Sequence, residues 1–216
     1  MVTVRVLAER KQPFGDGFEV EVSAETLDQA LQKAGAIGKL ISVDNKPLGR
    51  VLQDKLLALG YKVSAAESLT GGSLAAEIVK YDGASRVFDE SVVTYGNVAK
   101  AALLGVDPAL IAREGVVSAE VAKQMADGVK RLCGCDLALS TTGIAGPKGD
   151  GVCDEVGLTY IGVATSWGTT TYMHLFEGDR DDVRRQAVLW ALYHGVESLD
   201  KELAAKAEDN QVKHGE

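Results

Sequence analysis

Basic residues are in short supply in this chain. Its 23 Lys and Arg stand against 31 Asp and Glu, a formal net charge of −8 over 216 residues. Nonspecific binding to nucleic acid or to an anionic membrane needs a positive face, so this balance argues against both. It leaves room for a local basic pocket. Cysteine is scarce as well. Cys133, Cys135 and Cys153 are an odd number, with one C-x-C and no second pair at ligand spacing, and His174, His194 and His214 are scattered. That pattern predicts free thiols and no metal site. No apolar run approaches the roughly 20 residues of a membrane span. Arg5, Glu9, Arg10 and Lys11 stand where a secretory signal keeps an apolar stretch. The expectation is a cytoplasmic protein.

What is present is ordinary globular material, 46% hydrophobic and 25% charged. Residues 1–46 read as a small α+β module. Val2 to Leu7 and Phe18 to Val22 alternate apolar and polar, which predicts a hairpin closed by the turn-rich piece Pro13 to Gly17. Ser23 is the expected cap of a helix over 24–34 ended by Gly35, and 39–43 reads as a third strand. This module carries no recognisable chemistry. Asn45-Lys46-Pro47 is a natural joint.

Beyond the joint, helices and strands alternate through residues 47–203. Helices are expected over 48–59, 73–79, 97–104, 118–132 and 179–199, with Ser118 as a cap. Strands are expected over 62–68, within 87–96, over 136–143, and as a hairpin, 157–166 with 169–178, turning at Trp167-Gly168. The fold class is α/β, a three-layer αβα domain with a mixed sheet. Residues 204–216 are polar and expected to fray.

Three loops put polar groups at the end of an apolar strand, the edge at which open α/β sheets bind ligands. In Ala66-Glu67-Ser68-Leu69-Thr70-Gly71-Gly72-Ser73, a strand ends at a serine, two glycines follow and a helix begins. Either Ser68, Thr70 or Ser73 merely caps that helix, or its free N–H groups serve a phosphate or an oxyanion. The spacing is neither that of a P-loop nor G-x-G-x-x-G. In Val93-Thr94-Tyr95-Gly96-Asn97-Val98-Ala99-Lys100, the lysine lies inside a helix. It is either solvated or, if buried near an alcohol, a base with its pKa brought from about 10.4 toward roughly 7–8. In Ser140-Thr141-Thr142-Gly143-Ile144-Ala145-Gly146-Pro147, three hydroxyls precede two glycines and a proline. A fourth segment, Gly178 to Arg185, opens the last helix with acids suited to its dipole. Arg180 or Arg184 there is either solvated, paired with the acids, or a bidentate grip for a phosphate.

These segments together resemble the C-terminal domain of the competence-damage-inducible CinA family, whose stand-alone members act as nicotinamide-nucleotide amidases. The matching stretches are AESLTGG (66–72), VTYGNVAK (93–100), LLGV (103–106), GVVSAEVAKQMA (115–126), TTGIAGP (141–147), VGLTYIGVA (156–164) and GDRDDVRRQA (178–187), in the family's order. The resemblance implies hydrolysis of the carboxamide of nicotinamide mononucleotide to nicotinate mononucleotide and ammonia, with no metal or redox cofactor. It implies self-association as a homodimer or higher homo-oligomer. It places the family's serine on Ser68, its lysine on Lys100, its tyrosine on Tyr95 and its hydroxyl on Thr142. Lys100 would take the serine proton directly or through Tyr95, and N–H groups near Gly71 and Gly72, or near Gly143, would hold the oxyanion. Glu67, Thr70, Thr94, Ala145 and Gly146 fall in the implied substrate-binding loops, and Arg180 or Arg184 would meet the phosphate. Two departures stand out. The family's cysteine after the nucleophile is Leu69 here, and Asp154 and Glu155 replace a Lys-Pro pair. The motifs leave residues 1–46 outside the resemblance. Two alternatives go with it: a nucleotide-binding regulatory protein of the same fold with little or no turnover, or an amidase for a different small amide.

Overall fold

The computed structural model describes residues 1–13 and 17–214. The chain divides into two compact units, Met1–Leu52 and Gln53–Glu216. In the first, β1 (Val2–Ala8) lies between β2 (Glu19–Ala24) and β3 (Gly38–Ser42) and is antiparallel to both. Val4, Val6 and Ala8 meet Val20, Val22 and Ala24, and α1 (Leu27–Gly35) closes this core with Ala30 and Ala34. The helix starts later than Ser23. Ser23 and Ala24 stay in the sheet opposite Thr3 and Val2, and Ser23 Oγ lies 2.7 Å from Thr3 Oγ1. Thr26 caps instead, its Oγ1 accepting from the Gln29 N–H at 3.4 Å. Cross-strand pairing claims the serine before the helix can. Of the turn expected over 13–17, residues 14–16 lie outside the described residues. The division between the units falls inside α2 (Leu48–Leu59), whose Leu48, Leu52 and Leu56 form a buried stripe at helical spacing.

The second unit holds β4 (Val63–Glu67), α3 (Ser73–Ile78), β5 (Val92–Val93), α4 (Asn97–Leu104), α5 (Pro108–Glu114), α6 (Ala119–Cys133), β6 (Leu137–Gly143), β7 (Leu158–Thr165), β8 (Gly168–Leu175) and α7 (Arg180–His214). Its sheet runs β5-β4-β6-β7-β8. The first three strands are parallel and the last three antiparallel, the mixed sheet expected. Alternation along β6 sends successive side chains to opposite faces. Ser140 and Thr142 donate to the carbonyls of Ala122 and Val116, in and just before α6. Thr141, between them, meets Thr70 on the other face. Helices cover both faces, α6 with α4 on one and α7 with α3 on the other. Ser118 caps α6 as its position predicts, accepting from Val121 N–H at 3.3 Å.

Parallel strands end at the same edge, so register decides which loops meet. Glu67 pairs with both Val93 and Thr141, which places Ser68, Thr94 and Thr142 side by side at the strand ends. The last helix does not stop near Leu199. It continues to His214, past the point where fraying is expected; residues 215–216 lie outside the described residues. The Tyr61 phenol holds the first part of the extension, donating to Glu202 and accepting from Lys206 Nζ at 3.1 Å. Among the described residues, no helix is long and apolar enough to cross a membrane.

Candidate active site

Ser68 directly follows β4. Its N–H donates to the Thr141 carbonyl at 3.0 Å, which extends the β4–β6 ladder by one residue and fixes the serine backbone. Lys100 reaches it from α4. The Lys100 Nζ lies 2.9 Å from Ser68 Oγ, 2.7 Å from the Thr94 carbonyl oxygen and 3.2 Å from the Tyr95 carbonyl oxygen. Close helix packing brings α4 to this depth. Gly128 of α6 faces the end of α4, and a Cβ there would sit 2.2 Å from the Leu104 carbonyl oxygen.

Lys100 is wholly buried, and desolvation lowers its pKa from 10.5 to about 8. No carboxylate shares its hydrogen bonds. Charged, the ammonium gives its three protons to two carbonyls and the serine hydroxyl. Neutral, it keeps two N–H groups, and carbonyls can only accept. The lone pair is therefore left facing Ser68 Oγ–H, the arrangement of a base poised to activate an alcohol.

The helix after the serine is capped by an unexpected residue. The Glu67 carboxylate is wholly buried and accepts from the N–H groups of Gly72 at 2.8 Å, Leu74 at 3.0 Å and Ala75 at 2.9 Å. None of Ser68, Thr70 and Ser73 caps α3; its N-cap is Gly72, without a side-chain bond. The same contacts engage the two glycine N–H groups of the first oxyanion expectation. The Gly72 N–H serves Glu67, and the Gly71 N–H donates to the Ser68 carbonyl at 3.1 Å. Gly71 and Gly72 instead supply backbone at φ +59° and +98° for the tight turn. Gly143 is required by packing, since a Cβ would lie 2.6 Å from the Leu158 carbonyl oxygen.

The other expected residues separate into distinct tasks. Thr142 Oγ1 donates to the Val116 carbonyl at 2.8 Å, so its proton belongs to the frame of the site. Tyr95 contributes its carbonyl to Lys100, while the residue is 61% exposed and its hydroxyl accepts from Arg180 Nη2 at 3.3 Å. The serine-to-lysine contact is thus direct, and the phenol is not interposed. Arg180 also donates to the Gly146 carbonyl at 2.6 Å, joining three loops at the rim; Ala145 beside it is buried. Arg184 does not reach outward for a phosphate. Its Nε donates to the Leu69 carbonyl at 3.1 Å, and its Nη2 to the Thr70 carbonyl at 3.0 Å and to Ser73 Oγ at 3.2 Å. It ties the Ser68 loop to α7. Thr70 is held again by its hydroxyl, 2.8 Å from Thr141 Oγ1. Both Glu67 and Thr141 lie inside the matching motifs, but their roles differ from the expectation: Glu67 caps α3 and Thr141 bonds Thr70; an acid one residue before a serine-glycine turn is the signal for the cap.

Outside this edge, burial raises the thiol pKa of Cys133 and Cys135. Among the described residues no three His, Cys, Asp or Glu side chains are placed to hold a metal ion. Asp154 and Glu155 are exposed in the loop between β6 and β7.

The model of the CinA C-terminal domain family matches residues 45–199. A protein of Caldicellulosiruptor saccharolyticus described as competence-damage inducible is 44% identical over 173 residues, covering 79% of this chain and 42% of that protein. One of the same description from Caldanaerobacter subterraneus subsp. tengcongensis is 40% identical over 192 residues, 88% of this chain and 45% of the relative. The chain thus spans less than half the length of these curated relatives. The second match covers a larger share of the chain than residues 45–216 make up, so the likeness runs back into the N-terminal module that the motifs leave aside. The crystal structure of a competence-damaged protein (CinA) superfamily protein from Klebsiella pneumoniae is similar at TM-score 0.69 and 30% identity, covering 71% of this chain and 96% of that one. The chain belongs to the CinA C-terminal domain family.

Proposed function

We propose that the second unit is a serine amidase acting on the carboxamide of nicotinamide mononucleotide. The observation that carries this reading is the buried pair itself, Lys100 Nζ 2.9 Å from Ser68 Oγ with the lysine pKa brought to about 8. Ser68 Oγ bonds to the amide carbon as its proton passes to Lys100 Nζ. The tetrahedral intermediate collapses with cleavage of the C–N bond, and Lys100 returns the proton to the departing ammonia. Water, deprotonated by the same amine, then attacks the acyl-enzyme and releases the carboxylate and Ser68.

The test is ammonia release from nicotinamide mononucleotide by the protein and by Ser68→Ala, with a chelator present. Turnover that vanishes in the variant and ignores the chelator supports the serine amidase; absence of turnover by the wild type at high protein concentration overturns it. Two observations favour a second reading, an amidase for a different small amide, one without a phosphate. Arg184 is bound to the nucleophile loop, and Asp154 and Glu155 add negative charge nearby in sequence to the Gly146 loop. Faster turnover of the nicotinamide riboside than of the mononucleotide would favour that second reading.

A further inference from the structure

The strand β8 ends the sheet of the second unit, with β7 as its single neighbour. Its register with β7 is unbroken from Thr165↔Gly168 to Leu158↔Leu175, so no bulge turns the edge away. Hydrogen bonds in an antiparallel pair alternate along the strand. The Phe176 N–H donates to the Gly157 carbonyl at 3.0 Å, directly beyond the Leu158↔Leu175 pair, so the even-numbered residues of β8 bond to β7. Thr169, Thr171, Met173 and Leu175 therefore aim their N–H and C=O groups outward, and among the described residues these groups have no partner. Side chains add to the same edge. Tyr172 and His174 meet His194 of α7, whereas Thr169 bonds to Asp127 of α6, so alternation puts Met173 and Leu175 on the α6 face. Met173 is 64% exposed and Leu175 57%. None of the eight residues of β8 is buried, and none is charged or a proline. An exposed edge of this length is normally blunted by a lysine, a proline or a bulge, and β8 has none of them.

We propose that this edge pairs antiparallel with β8 of a second copy of the chain, about a two-fold axis normal to the sheet, joining two five-stranded sheets into one. A second copy is the occupant because the pairing closes. Two-fold symmetry sets each open edge against itself and leaves no β8 edge free. Head-to-tail growth would need the opposite edge, and β5 there is two residues long, Val92–Val93. Charge points the same way. Two chains of net charge −8 repel each other, and β8 offers an uncharged line of approach. The axis keeps every side chain on its own face, so Met173 and Leu175 of both copies gather on the α6 side while the outward N–H and C=O groups find partners. The inference is independent of the amidase reading.

Sedimentation equilibrium of the full chain, of Thr171→Pro and of Met173→Lys decides the point, with circular dichroism to check each fold. Thr171→Pro removes an outward donor and leaves the bonds to β7 in place; Met173→Lys puts a charge on an exposed side chain. The wild type is expected to sediment as two chains. Each variant is expected to keep its dichroism spectrum and to weaken the dimer by about 10- to 100-fold, because two-fold symmetry counts every change twice. Amide exchange reads the surface itself. The Thr171 and Met173 amides of the wild type are expected to exchange more slowly as protein concentration rises, while amides on α5 do not change. A wild type that stays a single chain at high concentration overturns the proposal. So does a folded variant as dimeric as the wild type, because the copies then meet elsewhere, and so do Thr171 and Met173 amides that exchange equally fast in the dimer and the single chain. If Thr171→Pro fails to fold, Met173→Lys and the exchange rates decide alone.

Discussion

Lys100 enters the site with no carboxylate to hold its charge, and this decides how activity responds to pH. Burial favours the neutral amine, moving the pKa from 10.5 to about 8. At pH 7 about one lysine in ten is then neutral, against fewer than one in a thousand for a solvated one. Below about pH 8 the rate of ammonia release is expected to rise close to tenfold per pH unit, and above it to level off. Lys100→Arg, charged at every accessible pH, and Lys100→Met, which has no amine, are expected to be inactive throughout. A wild-type profile flat down to pH 5 would remove Lys100 from the role of base. The family resemblance makes Ser68 and Lys100 legible as a pair; the residue pattern alone leaves the serine readable as a helix cap and the lysine as a solvated side chain. It does not reveal where hydrogen bonds go. Arg184 looks like a phosphate grip until its donors meet the carbonyls of Leu69 and Thr70, and Thr142 looks catalytic until its proton meets Val116.

At the scale of the element, the segment to explain is β4, its turn and α3. A six-residue helix has no stability of its own, because nucleation outweighs so few hydrogen bonds. It persists here because the buried Glu67 carboxylate accepts three of its N-terminal N–H groups and Arg184 holds the turn from α7. Glu67→Gln keeps the shape, removes the charge and turns an NH2 toward N–H donors. It is expected to cost about 2–3 kcal/mol, seen as a lower urea midpoint with an unchanged slope. An unchanged midpoint would mean that the cap does not hold the turn. Element types follow from periodicity, which is why β4, α4, α6 and the β7–β8 hairpin lie where the pattern predicts. Some helix ends do not, because a cap is a competition between partners. Ser23 is taken by Thr3 across the sheet, and the serines and threonine around α3 yield to a carboxylate five residues or more away.

At the scale of the whole molecule, the residues of the candidate site all lie in the second unit, and the Klebsiella pneumoniae structure matches 71% of this chain with nearly all of its own. The sheet of that unit is joined to α7 by an aromatic layer that no sequence pattern indicates. His174 on β8 and His194 on α7 are scattered in sequence, yet their Nε2 atoms lie 3.0 Å apart. His194 stacks on Tyr172 with centroids 3.6 Å apart, and His174 stacks on Phe176 at 5.0 Å and tilts against Trp190 at 4.8 Å. Burial, with His194 beside it, lowers the His174 pKa from 6.5 to about 4. His194 is also lowered by burial and by Lys201, against the opposing pull of Glu197. A histidine with a depressed folded pKa stays neutral in the fold while the unfolded chain takes up its proton below about pH 6.5. The stability that this pair contributes is thus complete above pH 6.5 and drains away as pH falls toward 4. Between pH 6.5 and 5 most carboxylates remain ionised, so the window isolates the histidines. His174→Phe keeps a ring between Phe176 and Trp190 and removes one proton site, and the slope of unfolding free energy against pH in that window is expected to be shallower by up to about 1.4 kcal/mol per pH unit. Urea titrations of the two proteins at pH 6.5, 6.0, 5.5 and 5.0 measure that slope directly. Parallel lines would show that His174 binds its proton equally in the folded and unfolded chains, and the aromatic layer would then act by packing alone.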